Sequence, residues 1–299
     1  MTLVELIPLA IKISIVTLVF ALGLKTDAND LTFLVKRPWL LVRSLLSINL
    51  IMPVVATAIV LASGLGPPVG LMVVALALAP LPPVLPSKND KAGGDAAYAI
   101  SLTVTAALFA LVSIPLSVEI AGRLMGLPLH IKLLPLVKLL SVTVFLPLSA
   151  GIVARRFLPA IAEKLSGPLS KVATVLLVLS AAAILFGAWK GMVAEIGDGV
   201  LAALVVFIVA GLVIGHLLGG PAPDDRTVLA MSTASRHPGI ALAIIQMTFP
   251  DAKGLLPLLL LYLVANAIIG APYMIWRKKS GGKSRPVEDP ASKAPSAPG

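Results

Sequence analysis

The chain has 299 residues, of which 58% are hydrophobic and 13% charged, and its mean hydropathy is +1.01. A water-soluble domain of this length is far more polar, so we expect an all-α polytopic protein embedded in a lipid bilayer. The net charge of +10 does not indicate nucleic-acid binding, because the Lys and Arg residues fall mostly between apolar runs and at the C-terminus. Cysteine is absent, which excludes disulfides, thiol catalysis and cysteine-ligated metals, and we predict no bound cofactor.

The apolar pattern predicts about nine membrane helices. They lie near 5–24, 38–62, 69–92, 95–120, 132–154, 168–190, 199–219, 227–249 and 254–276. Alternate loops carry most of the basic residues, namely Lys25, Lys36, Arg37, Arg43, Lys88, Lys91, Arg155, Arg156, Lys164, Lys171, Arg226 and Arg277 to Lys279. The positive-inside rule therefore predicts an external N-terminus and a cytoplasmic C-terminus, in a plasma membrane of the bacterial inner-membrane type.

The eighth segment contains the sequence from Ser232 to Gly239, with Thr233, Arg236, His237 and Pro238 inside it. Arg236 is about ten residues into the segment, so it lies about 15 Å deep, near the bilayer midplane. A cation at that depth is costly and usually faces a cavity or a partner. Pro238 and Gly239 predict a break in the helix beside this charge, which indicates a binding site.

The third segment carries a cluster of prolines, and no regular helix survives four of them in seven residues. They are Pro80, Pro82, Pro83 and Pro86, followed directly by the polar run Ser87-Lys88-Asn89-Asp90-Lys91. One interpretation ends the helix near Leu81 and makes Lys88 to Asp95 a solvated cytoplasmic turn. The other is a second broken helix, whose charged half lines a cavity together with Arg236.

The positions of the two breaks indicate an internal symmetry. Helices 1–4 (5–120) and 6–9 (168–276) form halves of opposite orientation when 132–154 is a connector, and the third and eighth helices then correspond. Inverted repeats with interrupted helices place a site at the midplane of many secondary transporters. The membrane domain would cover 1–279, with a disordered cytoplasmic tail at 280–299. Asn49 and Asn266 are expected to hydrogen-bond between helices.

Several short motifs in order resemble one transporter family. They are Ala21-Leu22-Gly23-Leu24, Ile51-Met52-Pro53, Pro80, Gly94-Asp95, and the stretch from Arg226 to Gly239. The chain over 1–279 resembles the bile acid:sodium symporter family, within the wider group of arsenite and auxin carriers. The resemblance implies two crossing broken helices, a core bundle that rocks against a panel of helices, and a small organic anion as substrate.

The same resemblance locates the family's sodium ligands, and most of them are replaced here. A glutamate and a glutamine on the second crossing helix correspond to Ser232 and Arg236, and the next asparagine corresponds to His237. A serine–asparagine pair corresponds to Leu85-Pro86, while Thr103 and Thr105 retain hydroxyls near one sodium site. This implies the hypothesis that Arg236, with Lys88, is a tethered cation that replaces sodium and favours an anion.

The candidate binding residues are therefore Arg236, His237, Ser232, Thr233, Lys88, Asn89, Asp90, Thr103 and Thr105, with no catalytic or metal site. Coupling stays open: a proton carried by His237 or Asp90, sodium in an ordinary symporter, or no coupling ion at all. Arg236 alternatively pairs with Asp90 or with exposed carbonyls and only holds the structure together. A non-transporting receptor or structural protein is a further alternative, and a homodimer is left open. An intramembrane enzyme is disfavoured because no catalytic motif is present.

Overall fold

The computed structural model describes residues 3–124, 133–197, 199–248 and 255–280, and these ranges contain helices and no strand. The α-helices are α1 Leu3–Lys25, α2 Ala28–Phe33, α3 Pro38–Leu46, α4 Met52–Ser63, α5 Pro67–Leu78, α6 Leu85–Lys91, α7 Ala96–Leu124, α8 Leu133–Leu140, α9 Leu146–Phe157, α10 Pro159–Ala194, α11 Val200–Leu218, α12 Pro223–Ala234, α13 Pro238–Thr248 and α14 Leu255–Ser280. Two π-helical turns, Ser47–Ile51 and Ser141–Phe145, join α3 to α4 and α8 to α9. The predicted tail after Ser280 and the end of the predicted eighth segment at Phe249 lie outside these ranges.

The prediction of an all-α polytopic membrane protein is confirmed. In the described part of the chain, eight helical spans are long and apolar enough to cross a membrane. The third predicted segment supplies only the shorter apolar helix Val69–Leu78, because its helix is interrupted.

The sixth predicted segment, 168–190, is wrong in its bounds, since α10 runs from Pro159 to Ala194. A helix of 36 residues is about 54 Å long, which exceeds the hydrocarbon thickness of a bilayer. Its first turns carry Glu163, Lys164 and Lys171, and hydropathy does not register a helix that continues through polar sequence.

Three helices form a panel, namely α1, α9 and α10, and they pack chiefly on one another. Gly23 of α1 and Gly151 of α9 make this packing close, because a Cβ at Gly23 would overlap the carbonyl oxygen of Leu148. Much of α10 faces outward: Val172, Phe186 and Trp189 are exposed apolar side chains, as expected of a lipid-facing helix.

The remaining membrane helices form a core around the two interrupted segments. The span Pro223–Met247, which contains α12 and α13, is the most buried span in the described ranges. Helix α11 approaches α12 through Gly211, Gly215 and Gly219, which are spaced four residues apart on one face. A Cβ at Gly215 would lie 2.5 Å from Cα of Ala230, so only glycine permits this approach.

One end of the bundle carries most of the basic residues and is called the basic end below. The turns after α1, between α6 and α7, and between α11 and α12 lie there, as does the end of α14. Two contacts join these turns: Arg37 Nη1 lies 3.5 Å from Asp225 Oδ2, and Arg277 Nη2 donates to the carbonyl of Pro223 at 2.6 Å.

We predict that Gly215→Ala destabilises the protein, because the added methyl group must push α11 away from α12. Overpacking of this kind costs about 1–3 kcal/mol. Gly187→Ala is the matched control, since Gly187 is exposed on α10 and a Cβ there meets nothing within 4 Å. Thermal unfolding of the detergent-purified variants measures both. Equal midpoints for the two variants would contradict the close packing of α11 on α12.

Candidate functional site

The third segment is a broken helix. Helix α5 ends at Leu78, the backbone of Ala79 is extended with ψ of 144°, and α6 begins only at Leu85. The prolines at 80, 82 and 83 cause this interruption, since none of them has an N–H to donate. Of the two interpretations of this segment, the structure shows the broken helix, with α5 ending three residues before Leu81, but it does not bring the charged half to Arg236.

The eighth segment is broken at the predicted position. Helix α12 ends at Ala234, Ser235 is extended with ψ of 128°, and Pro238 opens α13. The N–H of His237 donates to the carbonyl of Pro80 at 2.9 Å, so the two breaks are in contact. The prediction of two crossing broken helices is therefore confirmed.

Arg236 lies in the break of the eighth segment with only 2% of its surface exposed. Its Nη2 donates to the carbonyl of Ile48 at 3.0 Å and its Nη1 to the carbonyl of Ala79 at 3.5 Å. Its Nε has no hydrogen-bond partner among the residues that the structure describes. The salt bridges among the described residues, Arg37–Asp225 and Arg123–Glu119, do not involve Arg236, so its charge is held by neutral oxygens.

The two carbonyls are available because the helices that contain them are irregular. In a regular α-helix the N–H of Met52 would bond to Ile48, but in the π turn it bonds to Ser47. Pro53 follows and has no N–H to take its place. The carbonyl of Ala79 lies beyond the end of α5. Arg236 therefore supplies donors where the backbone has lost them.

Two side chains from α14 form hydrogen bonds with the backbone at the break. The hydroxyl of Tyr262 accepts the N–H of Arg236 at 2.7 Å and donates to the carbonyl of Ala234 at 3.3 Å. Nδ2 of Asn266 donates to the same carbonyl at 2.9 Å, which confirms the expected hydrogen bond between helices. The corresponding expectation for Asn49 is not met in the described ranges, where its Nδ2 has no partner.

A polar layer surrounds the crossing on the side toward the basic end. Oγ1 of Thr233 lies 2.8 Å from Oγ of Ser47, and Nδ2 of Asn89 donates to Oγ of Ser232 at 3.5 Å. Asn89 is fully buried, and its Oδ1 has no partner in the described part of the chain. The structure thus brings Ser232, Thr233 and Asn89 together beside Arg236.

Two cavities lie between the panel and the core. The larger, of about 140 Å³, is lined by Leu18, Leu22, Lys25, Pro83, Val84, Pro86, Ser87, Asp90, Ala96, Ile100, Ser170 and Thr174. The smaller, of about 20 Å³, is lined by Val19, Leu22, Pro80, Leu81, Pro83, Thr103, Ala107, Val144, Leu148 and His237. Leu22 and Pro83 line both, so the cavities adjoin. Lys25, Ser87 and Asp90 are exposed, so the larger cavity reaches the surface at the basic end.

Some predicted residues lie elsewhere than expected. The structure does not place Arg236 in either cavity. Neither Lys88 nor Asp90 lies beside Arg236. The reason is that α6 restarts after the break and carries these charges toward the surface, where both are exposed. The alternative in which Arg236 binds exposed carbonyls matches the structure. Thr103 does line the smaller cavity with His237, although its hydroxyl donates to the carbonyl of Ala99 at 2.8 Å in its own helix. Thr105 is half-buried.

Several residues of the site were not predicted from the sequence. Tyr262 resembles any other aromatic residue in an apolar helix. Ser170 and Thr174 belong to the sixth predicted segment, in which no site residue was predicted, and Lys25 was used only to predict the membrane orientation. The sequence did indicate a polar face on α10, because Ser170 and Thr174 are four residues apart and share one face.

Comparison with known proteins agrees with this architecture. The model of the Sodium Bile acid symporter family matches residues 12–195, which is more than half of the 299 residues. The chain belongs to this family. It is also 32% identical over 171 residues to "Sodium/bile acid cotransporter 5" of Mus musculus, a match that covers 54% of this chain. The match covers 38% of that protein, so the chain spans less than half of its length.

Because the family consists of symporters, the protein is a multi-pass membrane protein of transporter type, as the sequence predicted. The matched residues include the first broken helix and the larger cavity, whereas Arg236 and His237 lie beyond residue 195. The departures at Ser232, Arg236 and His237 therefore fall in the part of the chain that the family model does not match, whereas the departure at Leu85-Pro86 falls inside the matched part.

We predict that Arg236→Met lowers the stability of the protein. The substitution retains the apolar stem but leaves the carbonyls of Ile48 and Ala79 buried without a donor, at about 1–3 kcal/mol each. Arg156→Met is the control, because Arg156 is exposed at the end of α9. Thermal unfolding in detergent measures the difference. A midpoint for Arg236→Met as high as that of the control would rule out this role.

Proposed function

We propose that the protein is a secondary transporter of small organic anions that works by alternating access, with Arg236 as a fixed cation in place of sodium. The observation that carries the proposal is the pair of hydrogen bonds from Arg236 to the carbonyls of Ile48 and Ala79. These oxygens come from two different segments and meet at the crossing of the broken helices.

Carbonyl oxygens of interrupted helices are typical sodium ligands in secondary transporters. Here the guanidinium already occupies two of them, and the family's glutamate and glutamine correspond to Ser232 and Arg236. A sodium ion about 4 Å from this cation would be repelled by about 4 kcal/mol at an effective dielectric constant of about 20. Without a carboxylate to offset that repulsion, sodium binding at this crossing is disfavoured.

The positive field at the crossing supports an anionic substrate. Arg236 forms no salt bridge in the described ranges, and the N-terminus of α13 adds its helix dipole at Pro238. His237 lies between these two positive sources and lines the smaller cavity. A negative charge that enters between panel and core therefore gains energy as it approaches the crossing.

The cavities support alternating access. Both lie at the interface of two units that are each closely packed, and the larger reaches the surface at the basic end. The positive-inside rule supports a cytoplasmic basic end and an external N-terminus, and we propose that the described conformation is inward-facing in a plasma membrane of the bacterial inner-membrane type. Rocking the core against the panel would close this access and open the other side. A protein that had kept the fold but lost transport would be expected to have a collapsed interface.

A proton is the coupling ion that the geometry favours. Nδ1 of His237 accepts the N–H of Ile240 at 3.4 Å, so the proton of the neutral ring is on Nε2. The ring lines the smaller cavity, where a proton could be exchanged between the two sides.

We expect the wild-type protein to be stabilised by organic acids and to be indifferent to sodium. Ser232→Glu combined with Arg236→Gln restores the residues that the family uses, and this variant should gain stabilisation by sodium. A hundredfold excess of sodium over its Kd would contribute about 2.7 kcal/mol. Thermal unfolding in sodium chloride and in potassium chloride of equal ionic strength, with and without organic acids, measures both effects.

Ser232→Gln with Arg236→Gln is the matched control, because it removes the guanidinium but adds no carboxylate. Sodium stabilisation of the wild type would show that an ordinary sodium symporter is the better description. If no organic acid stabilises the wild type in either salt, the non-transporting alternative is favoured.

A further inference from the structure

The larger cavity has an uneven distribution of charge. Its charged side chains are Lys25, at the end of α1 in the panel, and Asp90, on α6 in the core. Neither forms a salt bridge within 4 Å in the part of the chain that the structure describes. The ammonium of Lys25 is therefore available to a ligand that enters from the basic end.

The rest of the lining separates into an apolar and a hydroxyl side. Leu22 and Ile100 present hydrocarbon, whereas Ser170 of α10 and Ser87 of α6 present hydroxyls. The hydroxyl of Thr174 donates to the carbonyl of Ser170 at 2.6 Å, so it offers the cavity only an acceptor. A carboxylate accepts from an ammonium and from hydroxyl groups at once. An apolar body attached to it would be buried against the hydrocarbon side.

We propose that this cavity binds a small monocarboxylate with a compact apolar body, and that Lys25 is the residue that holds its carboxylate. This inference rests on the proposed function and assigns its substrate class. The volume of about 140 Å³ sets the size, since an apolar cavity of about 150 Å³ holds benzene. A carboxylate on a ring or a short branched chain fits this volume.

Asp90 limits the number of negative charges on a ligand that binds in this cavity. A dicarboxylate in the same cavity would bring its second negative charge toward Asp90, and like charges repel in a partly buried site. Lys25 and Asp90 together therefore select one negative charge. Replacing Asp90 by Asn should admit dicarboxylates.

The absence of cysteine from the chain allows a site-specific test. Ala96→Cys introduces one thiol into the cavity wall without removing a polar group, and a maleimide reports whether that thiol is accessible. We expect benzoate to slow the labelling of this variant and its uncharged isostere benzamide not to. Adding Lys25→Gln should weaken benzoate protection about tenfold or more, because a charged hydrogen bond is lost. Adding Asp90→Asn should make phthalate protective.

Lys171→Gln is the matched control, since Lys171 follows Ser170 but is exposed outside the cavity, and it should retain protection by benzoate. Equal protection with and without Lys25, equal protection by benzamide, or no protection by benzoate overturns the inference. Thermal unfolding of each variant shows whether it is folded. Stabilisation of the wild type by other organic acids, with no benzoate protection at Ala96→Cys, would refute this site while the transporter proposal stands. Absence of both would refute both.

Discussion

The structure depends on one constraint: backbone groups freed at membrane depth need partners, because no water is present to supply them. Both crossing helices are interrupted, and the interruptions meet through the hydrogen bond from His237 to Pro80. Arg236 satisfies carbonyls of the second and third segments, while Tyr262 and Asn266 satisfy the eighth. An arginine is suited to this place, since its planar group has several donors and no acceptor. The same residue that makes the break tolerable also fixes a positive charge there.

A fixed charge and a bound ion differ in what they can do for transport. A sodium ion that binds and leaves can carry the energy of its gradient, whereas Arg236 remains in the chain through every cycle. If Arg236 has replaced sodium, the site keeps the electrostatic attraction for an anion but loses that source of coupling. His237 then matters for coupling, because it lines the smaller cavity and an imidazole can carry a proton. The loss of the sodium ligands would coincide with a histidine at the position that corresponds to the family's asparagine.

The sequence predicted the breaks because proline acts locally. Pro80, Pro82, Pro83 and Pro238 remove N–H groups wherever they stand, so both interruptions could be placed within a few residues. The depth of Arg236 followed from counting, but its partners did not. The carbonyl of Ile48, which accepts from Arg236, is 188 residues from it in the chain. That carbonyl is freed by a π turn that no sequence motif predicts. Lys88 and Asp90 were misplaced beside Arg236 for a similar reason, since the restart of α6 at Leu85 determines where they point. Lys25 and Ser170 line the same cavity only because α1 packs on α10, and hydropathy does not predict that packing.

The distribution of close contacts and cavities divides the molecule into two units. Inside the panel, Gly23 and Gly151 let α1 and α9 approach to backbone contact, and inside the core Gly211 and Gly215 do the same for α11 and α12. Such contacts resist the sliding of one helix along the other, because a displacement brings the backbone atoms of the two helices into collision. Between the units lie the cavities and the separated charges of Lys25 and Asp90. Motion is therefore least costly at the interface where a substrate would bind. A substrate carboxylate on Lys25 would also alter the attraction of that residue for Asp90, and thus the force between panel and core. Binding and movement would then depend on the same pair of charges.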